Sequence, residues 1–322
     1  MSEMQALMFD RYGPPDVLYA GRVKRPSADR KHVLVRVRAV SVNGGELPLR
    51  AGRLKPFSET LLRGWPKRLG LDFAGEVAEL AEPVAGLEVG TPVWGVMPRN
   101  QGFGSAAEYI AAPPSCLSRA PAGLGHVEAA ALPVGTTAIT ALRDKARLRA
   151  GERLLVRGGA GGVGNVAVQL GKAYGAHVTA LAGGANLDLV RSLGADVALD
   201  YTTVSPADLG PFDVVLDTVG TDLPAWHRTL GRSGRMVTIA FDLARPFTSL
   251  ASIALSVRHG SRRIRFFSGN PKTDLLDDLT RLVESGDLRP VVDTVHPLAD
   301  AANAHRALEA GGTRGKHIIT LP

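Results

Sequence analysis

Residues 154–164 read Leu-Leu-Val-Arg-Gly-Gly-Ala-Gly-Gly-Val-Gly, an apolar run that enters a glycine-rich turn. Gly159, Gly161 and Gly164 stand in the G-x-G-x-x-G spacing. In a chain with 37 glycines that spacing alone says little. Its setting says more: a helix is predicted over Asn165–Gly175 and a second strand over His177–Leu181. In a strand–turn–helix unit the first glycine lets the chain reverse. The second lets backbone amides approach a pyrophosphate, and the third lets helix pack on strand. The helix N-terminus adds free N–H groups and the positive end of its dipole. The backbone of Gly159, Ala160, Gly161, Gly162, Val163 and Gly164 is therefore the expected dinucleotide contact.

The elements that must position this turn follow from the hydrophobic pattern. Leu154–Arg157, His177–Leu181, Val197–Leu199, Asp213–Thr218 and Met236–Ala240 read as strands. Asn165–Gly175, Leu187–Leu193 and Asp222–Leu230 read as helices between them. This alternation predicts an α/β fold with a doubly wound parallel sheet. The first third differs. Gln5–Phe9, His32–Val40, Phe73–Leu80, Thr91–Met97 and Ala107–Ala111 read as strands separated by Gly and Pro, as in a compact antiparallel sheet or barrel. Glu128–Ala150 reads as mostly helical, with a break near Pro133-Val134-Gly135. After the alternating region come a helix at Asp274–Ser285, a strand at Val291–Val295, a helix at Ala299–Ala310 and a strand at His317–Leu321. Both chain ends are thus expected to complete one domain, into which the nucleotide domain is inserted. The expected boundaries are 1–122, 123–264 and 265–322.

A chain of 322 residues, 45% hydrophobic and 21% charged, has ample material for about two domains. The single cysteine, Cys116, excludes an internal disulfide and any Cys-rich zinc site. It reads as a small semi-buried thiol. The N-terminus shows no secretory pattern, and no apolar run reaches spanning length, Leu250–Val257 being short and interrupted by serines. The expectation is cytoplasm and no membrane partner. The net charge of +7 raises the possibility of nucleic acid. The basic residues are scattered, however, so no nucleic-acid partner is expected. The densest basic stretch, Arg258–Arg265, reads as a solvated face, with steering of an anionic substrate as the functional alternative.

Several further segments carry a family resemblance. They are Ala39–Asn43 with Arg50-Ala51-Gly52, Leu69–Gly75, Leu154–Gly164, Ser192–Asp196 with Asp200-Tyr201, Phe212–Gly220, and Gly315-Lys316. Together they resemble the zinc-independent quinone oxidoreductase branch of the medium-chain dehydrogenase/reductases. The resemblance spans essentially the whole chain. It implies a GroES-like antiparallel β catalytic domain, a Rossmann domain inserted in it, a cleft between them, NADPH, a small-molecule substrate and a homodimer.

The resemblance also implies residue roles. Zinc-dependent relatives place Cys where Asn43 stands and His where Leu71 stands, and Val96–Ser105 is too short for their four-Cys lobe, so no metal is expected. About 20 residues beyond the glycines, NAD-specific sites carry an acid that holds the ribose hydroxyls. Here Ala182–Asn186 has none, which favours NADPH. Asn186 stands where the family often has Lys. Tyr201 matches a tyrosine that approaches the 2′-phosphate, or it packs on the adenine side. Thr218 and Phe267 belong to the cofactor's surroundings, Phe267 with core packing as its alternative. Thr137 matches a threonine near the nicotinamide carboxamide, or it starts a helix. Asn43 either donates to a developing oxyanion or caps the turn at Asn43-Gly44-Gly45. Glu46 replaces a common Asp and orients the loop. Related enoyl reductases carry a tyrosine where Leu54 stands. The implied activity is metal-free hydride transfer from NADPH to quinones or α,β-unsaturated carbonyl compounds. The alternatives are a stand-alone enoyl reductase of a biosynthetic pathway, or a cofactor-binding protein with little catalysis.

Overall fold

The computed structural model of the protein describes residues 2–55, 59, 64–98, 103–267, 269 and 272–322. The chain forms two compact units, Met1–Val134 with Asn270–Pro322, and Gly135–Gly269.

The first unit opens with β1 (Glu3–Phe9), β2 (Tyr19–Lys24), β3 (Val33–Ser41) and the short helix α1 (Glu46–Arg50). It continues through β4 (Lys67–Arg68), β5 (Asp72–Glu79), β6 (Pro92–Val96), β7 (Tyr109–Ala112), β8 (Leu117–Arg119) and α2 (His126–Ala130). β2, β1 and β4 make a small sheet. β3, β5, β6 and β8 form the run of a larger one, with β7 on β3. β3 is buried at most positions on both faces because β-branched residues fill Val33, Val35, Val37 and Val40. Leu7, Phe9, Phe73, Val93 and Ile319 meet in the core of this unit.

The second unit begins with α3 (Gly135–Ile139), which runs into a wider, π-type helical turn over Thr140–Ala146. The turn ends at Arg147, whose φ is 52°. Then come β9 (Arg153–Arg157), α4 (Gly162–Ala173), β10 (His177–Ala182), α5 (Leu187–Ser192), β11 (Val197–Asp200) and β12 (Phe212–Asp217). The unit closes with α6 (Leu223–Arg228), β13 (Leu230–Thr238), α7 (Pro246–Ser256) and β14 (Ile264–Phe266). The six strands are parallel, in the order β11-β10-β9-β12-β13-β14. That is the doubly wound order, with its reversal between β9 and β12. Leu154–Val156 and Val214–Leu216 are continuous apolar runs rather than alternating ones, as expected of strands covered on both faces. Helix α4 lies close on the sheet: a Cβ at Gly171 would come within 2.7 Å of Leu154 and 2.8 Å of Val178.

The chain then returns to the first unit through α8 (Thr273–Glu284), β15 (Val292–Pro297), α9 (Ala301–Ala310) and β16 (Lys316–Thr320). β16 pairs antiparallel with β3, Ile318 opposite Ser41, so the C-terminal segment completes the larger sheet of the first unit. β15 and β16 are parallel to each other, a departure from an all-antiparallel sheet. The boundary expected at 264/265 falls inside β14, which is hydrogen-bonded to β13. The segment 123–134, with α2, lies in the first unit. Among the described residues no helix is long and apolar enough to cross a membrane. The Leu250–Val257 stretch lies on α7 and just beyond it.

Candidate functional site

In the second unit the chain leaves β9 at Gly158, which has φ 74°. The tight turn expected of Gly159 is made by this neighbour instead. A Cβ on Gly158 would lie 2.4 Å from Thr218 Oγ1, which itself donates to the Arg157 carbonyl at 2.7 Å. Thr218 thus braces the turn from just beyond β12. Gly159 packs against the sheet, 3.0 Å from Ala180 by the same construction. Gly164 has no room for a side chain, since its Cβ would stand 1.9 Å from the Gly158 carbonyl oxygen. Gly161 differs: its nearest neighbour would be that oxygen at an ordinary 3.4 Å. Ala160 is buried between them. The first bond of α4 runs from Asn165 N to Gly161 O at 2.9 Å. The amides of Gly162, Val163 and Gly164 come before it and have no partner within the helix. An open glycine facing a row of such amides is a cradle that fits a pyrophosphate.

Below the turn lies a buried ion pair that sequence reading missed. Arg157 Nη1 donates to Asp217 Oδ1 at 2.6 Å and to the Thr221 carbonyl at 2.9 Å, and its guanidinium stacks on Trp226. Asp217 Oδ2 accepts from Gly220 N and Thr238 Oγ1. Burial pushes the Asp217 carboxyl up and the Arg157 guanidinium down, and their mutual attraction opposes both. The pair ties β9, β12 and β13 together at the end of the sheet that carries the turn.

The Ala182–Asn186 loop follows β10. Tyr201, 62% exposed, stands beside it, its ring 3.6 Å from a Cβ built on Gly183. Asn186 is 5% exposed and so points into the fold rather than out of the loop. The acid that the loop's own sequence lacks arrives from β11. Asp200 Oδ2 would lie 2.7 Å from a Cβ on Gly184. Its Oδ1 accepts from Thr202 N at 2.9 Å and Thr202 Oγ1 at 2.8 Å, which holds the carboxyl below its usual range. The helix and loop between Gly184 and Asp200 hid this approach from a local reading. Thr137 and Phe267 come together around Gly269, at 3.7 Å and 4.0 Å from a Cβ built there.

In the first unit, Asn43 sits in a buried polar cluster. Its Oδ1 accepts from Lys316 Nζ at 2.7 Å. Its Nδ2 lies 3.2 Å from Glu46 Oε1, 3.2 Å from Asp72 Oδ2 and 3.3 Å from the Ser41 carbonyl. Two amide hydrogens therefore serve three acceptors. Glu46 also receives Asn43 N and, through Oε2, Gly70 N, so it pins the 43–46 turn to the strand that enters β5. Asp72 receives Ser41 N and Oγ. Lys316, 3.9 Å from Asp72 Oδ2, brings the one lysine to two buried carboxyls. None of Glu46, Asp72 and Lys316 is more than 4% exposed. Cys116 is buried, and burial pushes its thiol up to about 12, where it is no nucleophile.

Burial, with the Asp72 charge added, pushes Glu46 up to about 7, while Asn43, Lys316 and Gly70 N oppose the shift. The folded state therefore holds a proton that the unfolded chain loses near the ordinary value of 4.5. Stability is expected to fall as pH rises from about 4.5 to about 7 and to level off above. Glu46→Gln should remove that slope. Urea midpoints measured across this range check it, and an unchanged slope in the variant would assign the effect elsewhere.

Comparison with known proteins gives the family. The family described as alcohol dehydrogenase GroES-like domain matches residues 29–122, and that described as zinc-binding dehydrogenase matches residues 193–319. The 2-methylene-furan-3-one reductase of Solanum lycopersicum is 33% identical over 99% of this chain and 79% of its own. The chloroplastic NADPH-dependent alkenal/one oxidoreductase of Arabidopsis thaliana is 32% identical over 98% of this chain and 79% of its own. The solved quinone oxidoreductase of Coxiella burnetii superposes with a TM-score of 0.89 at 30% identity, each chain covered in full. This chain belongs to the quinone oxidoreductase-like medium-chain dehydrogenase/reductases. It is accordingly an oxidoreductase that works with a nicotinamide cofactor. The name of the matching zinc-binding family is not matched by donors at Asn43 and Leu71. A leucine offers no lone pair, and the Asn43 carbonyl is held by Lys316, so these positions do not fit a catalytic zinc. The Val96–Ser105 stretch lies partly outside the described residues. The expected cytoplasmic location has no support in the Arabidopsis relative, which is named chloroplastic.

Proposed function

We propose that the protein is an NADPH-dependent reductase of quinones or α,β-unsaturated carbonyl compounds that works without metal, as a homodimer. The observation that carries this reading is the cradle at Gly161, open where Gly158, Gly159 and Gly164 are filled and backed by the first amides of α4. That surface suits a dinucleotide pyrophosphate. The 2′-phosphate would lie by the Ala182–Asn186 loop, where Tyr201 offers a hydroxyl and no side chain of the loop is charged. Asp200 is the one opposing feature, and its Oδ1 is already engaged by Thr202. Asn186, buried, supports the loop rather than clamping a phosphate. Thr218 shapes the turn from behind, while Thr137 and Phe267 would border the nicotinamide. Asn43 would turn one amide hydrogen to the substrate oxygen; with three acceptors sharing two hydrogens, no buried donor is left orphaned by the exchange. Substrate class is supported by the names of the tomato, Arabidopsis and Coxiella relatives.

Steady-state NADPH oxidation with a panel of quinones, enals and enones, run with a metal chelator present, tests the proposal. Turnover of at least one such acceptor, unchanged by the chelator, is expected. No turnover of any acceptor by protein that binds NADPH would favour a cofactor-binding role, and loss on chelation would refute the metal-free part. Light scattering on the same preparation is expected to give twice the chain mass.

A further inference from the structure

The basic stretch Arg258–Arg265 plays no part in the function above; Arg258, His259 and Arg263 are exposed, as expected of a solvated face, while Arg262 and Arg265 are half-buried. Arg258 turns back, its Nε donating to the Leu255 carbonyl at 3.1 Å. Arg262 gives its carbonyl to His227 Nε2 at 2.6 Å. Arg263 and Arg265 instead join Lys145, Arg147, Arg149 and Arg235 around one concave cavity of about 590 Å³ within the second unit. The acids lining it, Asp144 and Glu152, are both engaged. Asp144 holds Arg143 at 2.7 Å, and Glu152 takes both ends of Arg235 at 2.8 and 2.7 Å. Arg235 is further fixed by the Ala146 and Arg147 carbonyls. Six cations against two committed acids leave an excess of positive charge.

Arg265 shows the imbalance most clearly. Its Nη1 is buried with no hydrogen-bond partner among the described residues. Burial, with the positive charges of Arg263, Arg235 and Arg147 added, pushes its guanidinium below its usual range. A buried charged donor without an acceptor is costly, so the arrangement is one that an anion would complete. The cavity is also distinct from the dinucleotide turn. Arg235 lies opposite Val214, and Val214 opposite Leu154, at the beginning of β9, whereas the glycine turn leaves its end. Arg265, opposite Val237 and so level with Val156, stands nearer the turn, but no residue of the glycine turn lines the cavity.

We infer that this cavity binds a small molecule bearing an oligophosphate. Its volume lies in the range of small-ligand sites, roughly 300–1,000 Å³. Guanidinium groups match phosphate oxygens in forked pairs, and only a multiply charged anion neutralises several at once. A single carboxylate would leave most of the repulsion in place. Arg258, turned back onto its own helix, is not among the cavity's cations, and a concave cluster is not the continuous basic stripe that a nucleic acid or a membrane surface would need.

Calorimetric titration of the full chain with inorganic triphosphate, with and without saturating NADPH, tests the inference. One triphosphate per chain is expected, with its affinity changed less than twofold by NADPH. The Arg263→Gln/Arg265→Gln variant should bind it at least tenfold more weakly with NADPH affinity unaltered. Its unliganded thermal midpoint should not fall, because the substitutions relieve repulsion. The single Arg263→Gln change, on an exposed side chain, should weaken triphosphate at least threefold and keeps the test open if the double variant misfolds. Unaltered binding in these variants, or displacement by NADPH, would overturn the inference. So would tighter binding of duplex DNA or anionic vesicles through the same arginines. The arginine variants decide the matter even if NADPH itself fails to bind, which would count against the proposed function alone.

Discussion

Gly161→Val is expected to lose at least a hundredfold in NADPH affinity, about 2.7 kcal/mol, while the protein stays folded. The backbone at Gly161 is extended, with φ −73° and ψ 176°, so a side chain is tolerated there. Among the described residues, the one atom within 4 Å of its added Cβ is the Gly158 carbonyl oxygen at 3.4 Å. What the side chain would occupy is the cradle itself. Gly164→Val supplies the contrast, because its Cβ would stand 1.9 Å from that same oxygen, inside the turn. That variant should lower the thermal midpoint as well as binding. Fluorescence titration with NADPH, beside circular dichroism melts, separates the two outcomes. Gly161→Val protein that binds within threefold of wild type would move the pyrophosphate elsewhere.

Lys316→Met should be the most damaging single change in the first unit. It leaves Glu46 and Asp72 as buried carboxyls with no cation, a loss typically of about 3–5 kcal/mol. For a unit of this size that corresponds to a fall in thermal midpoint on the order of 10 °C. Adding Asp72→Asn should recover part of it, since one uncompensated charge is then gone. The cost should also shrink below about pH 7, where Glu46 takes up its proton. Melts of the single and double variants across pH check this. A single variant that loses less than about 1 kcal/mol, the size of a surface pair, would show that the cluster is not held by its charges.

The parts of this protein that were legible in its sequence are those with a local signature. The apolar runs at Leu154–Val156 and Val214–Leu216, spaced by helices, specify the parallel sheet, and the glycine spacing places the turn. The detail within the turn was not legible. Which glycine reverses the chain depends on how Thr218, just past β12 and 61 residues on from the Arg157 it bonds, crowds Gly158. Asp200 was missed for a similar reason: the reading of Ala182–Asn186 covered one loop, and the acid comes from the next strand. Lys316 meets Asn43 across 273 residues, a contact that only the pairing of β16 with β3 creates. The short strand β8 and the edge strand β14, three residues each, are too brief to carry a period. The break expected near Pro133 does separate α2 from α3, but the π-type turn that follows has no sequence signal of its own.

On the proposed function the second unit holds NADPH on the Gly158–Gly164 turn with its 2′-phosphate beside Tyr201. Parallel fluorescence titrations of the purified protein with NADPH and NADH test it most directly. Saturation at one NADPH per chain, with NADH several-fold weaker, is the predicted result. The margin should be modest because Tyr201 brings a single uncharged donor rather than a cationic clamp, and the Asp200 carboxyl stands near the same loop. NADH binding as tightly as NADPH or tighter would show that Asp200, and not the uncharged loop, sets the choice, and binding of neither would contradict the nucleotide site itself.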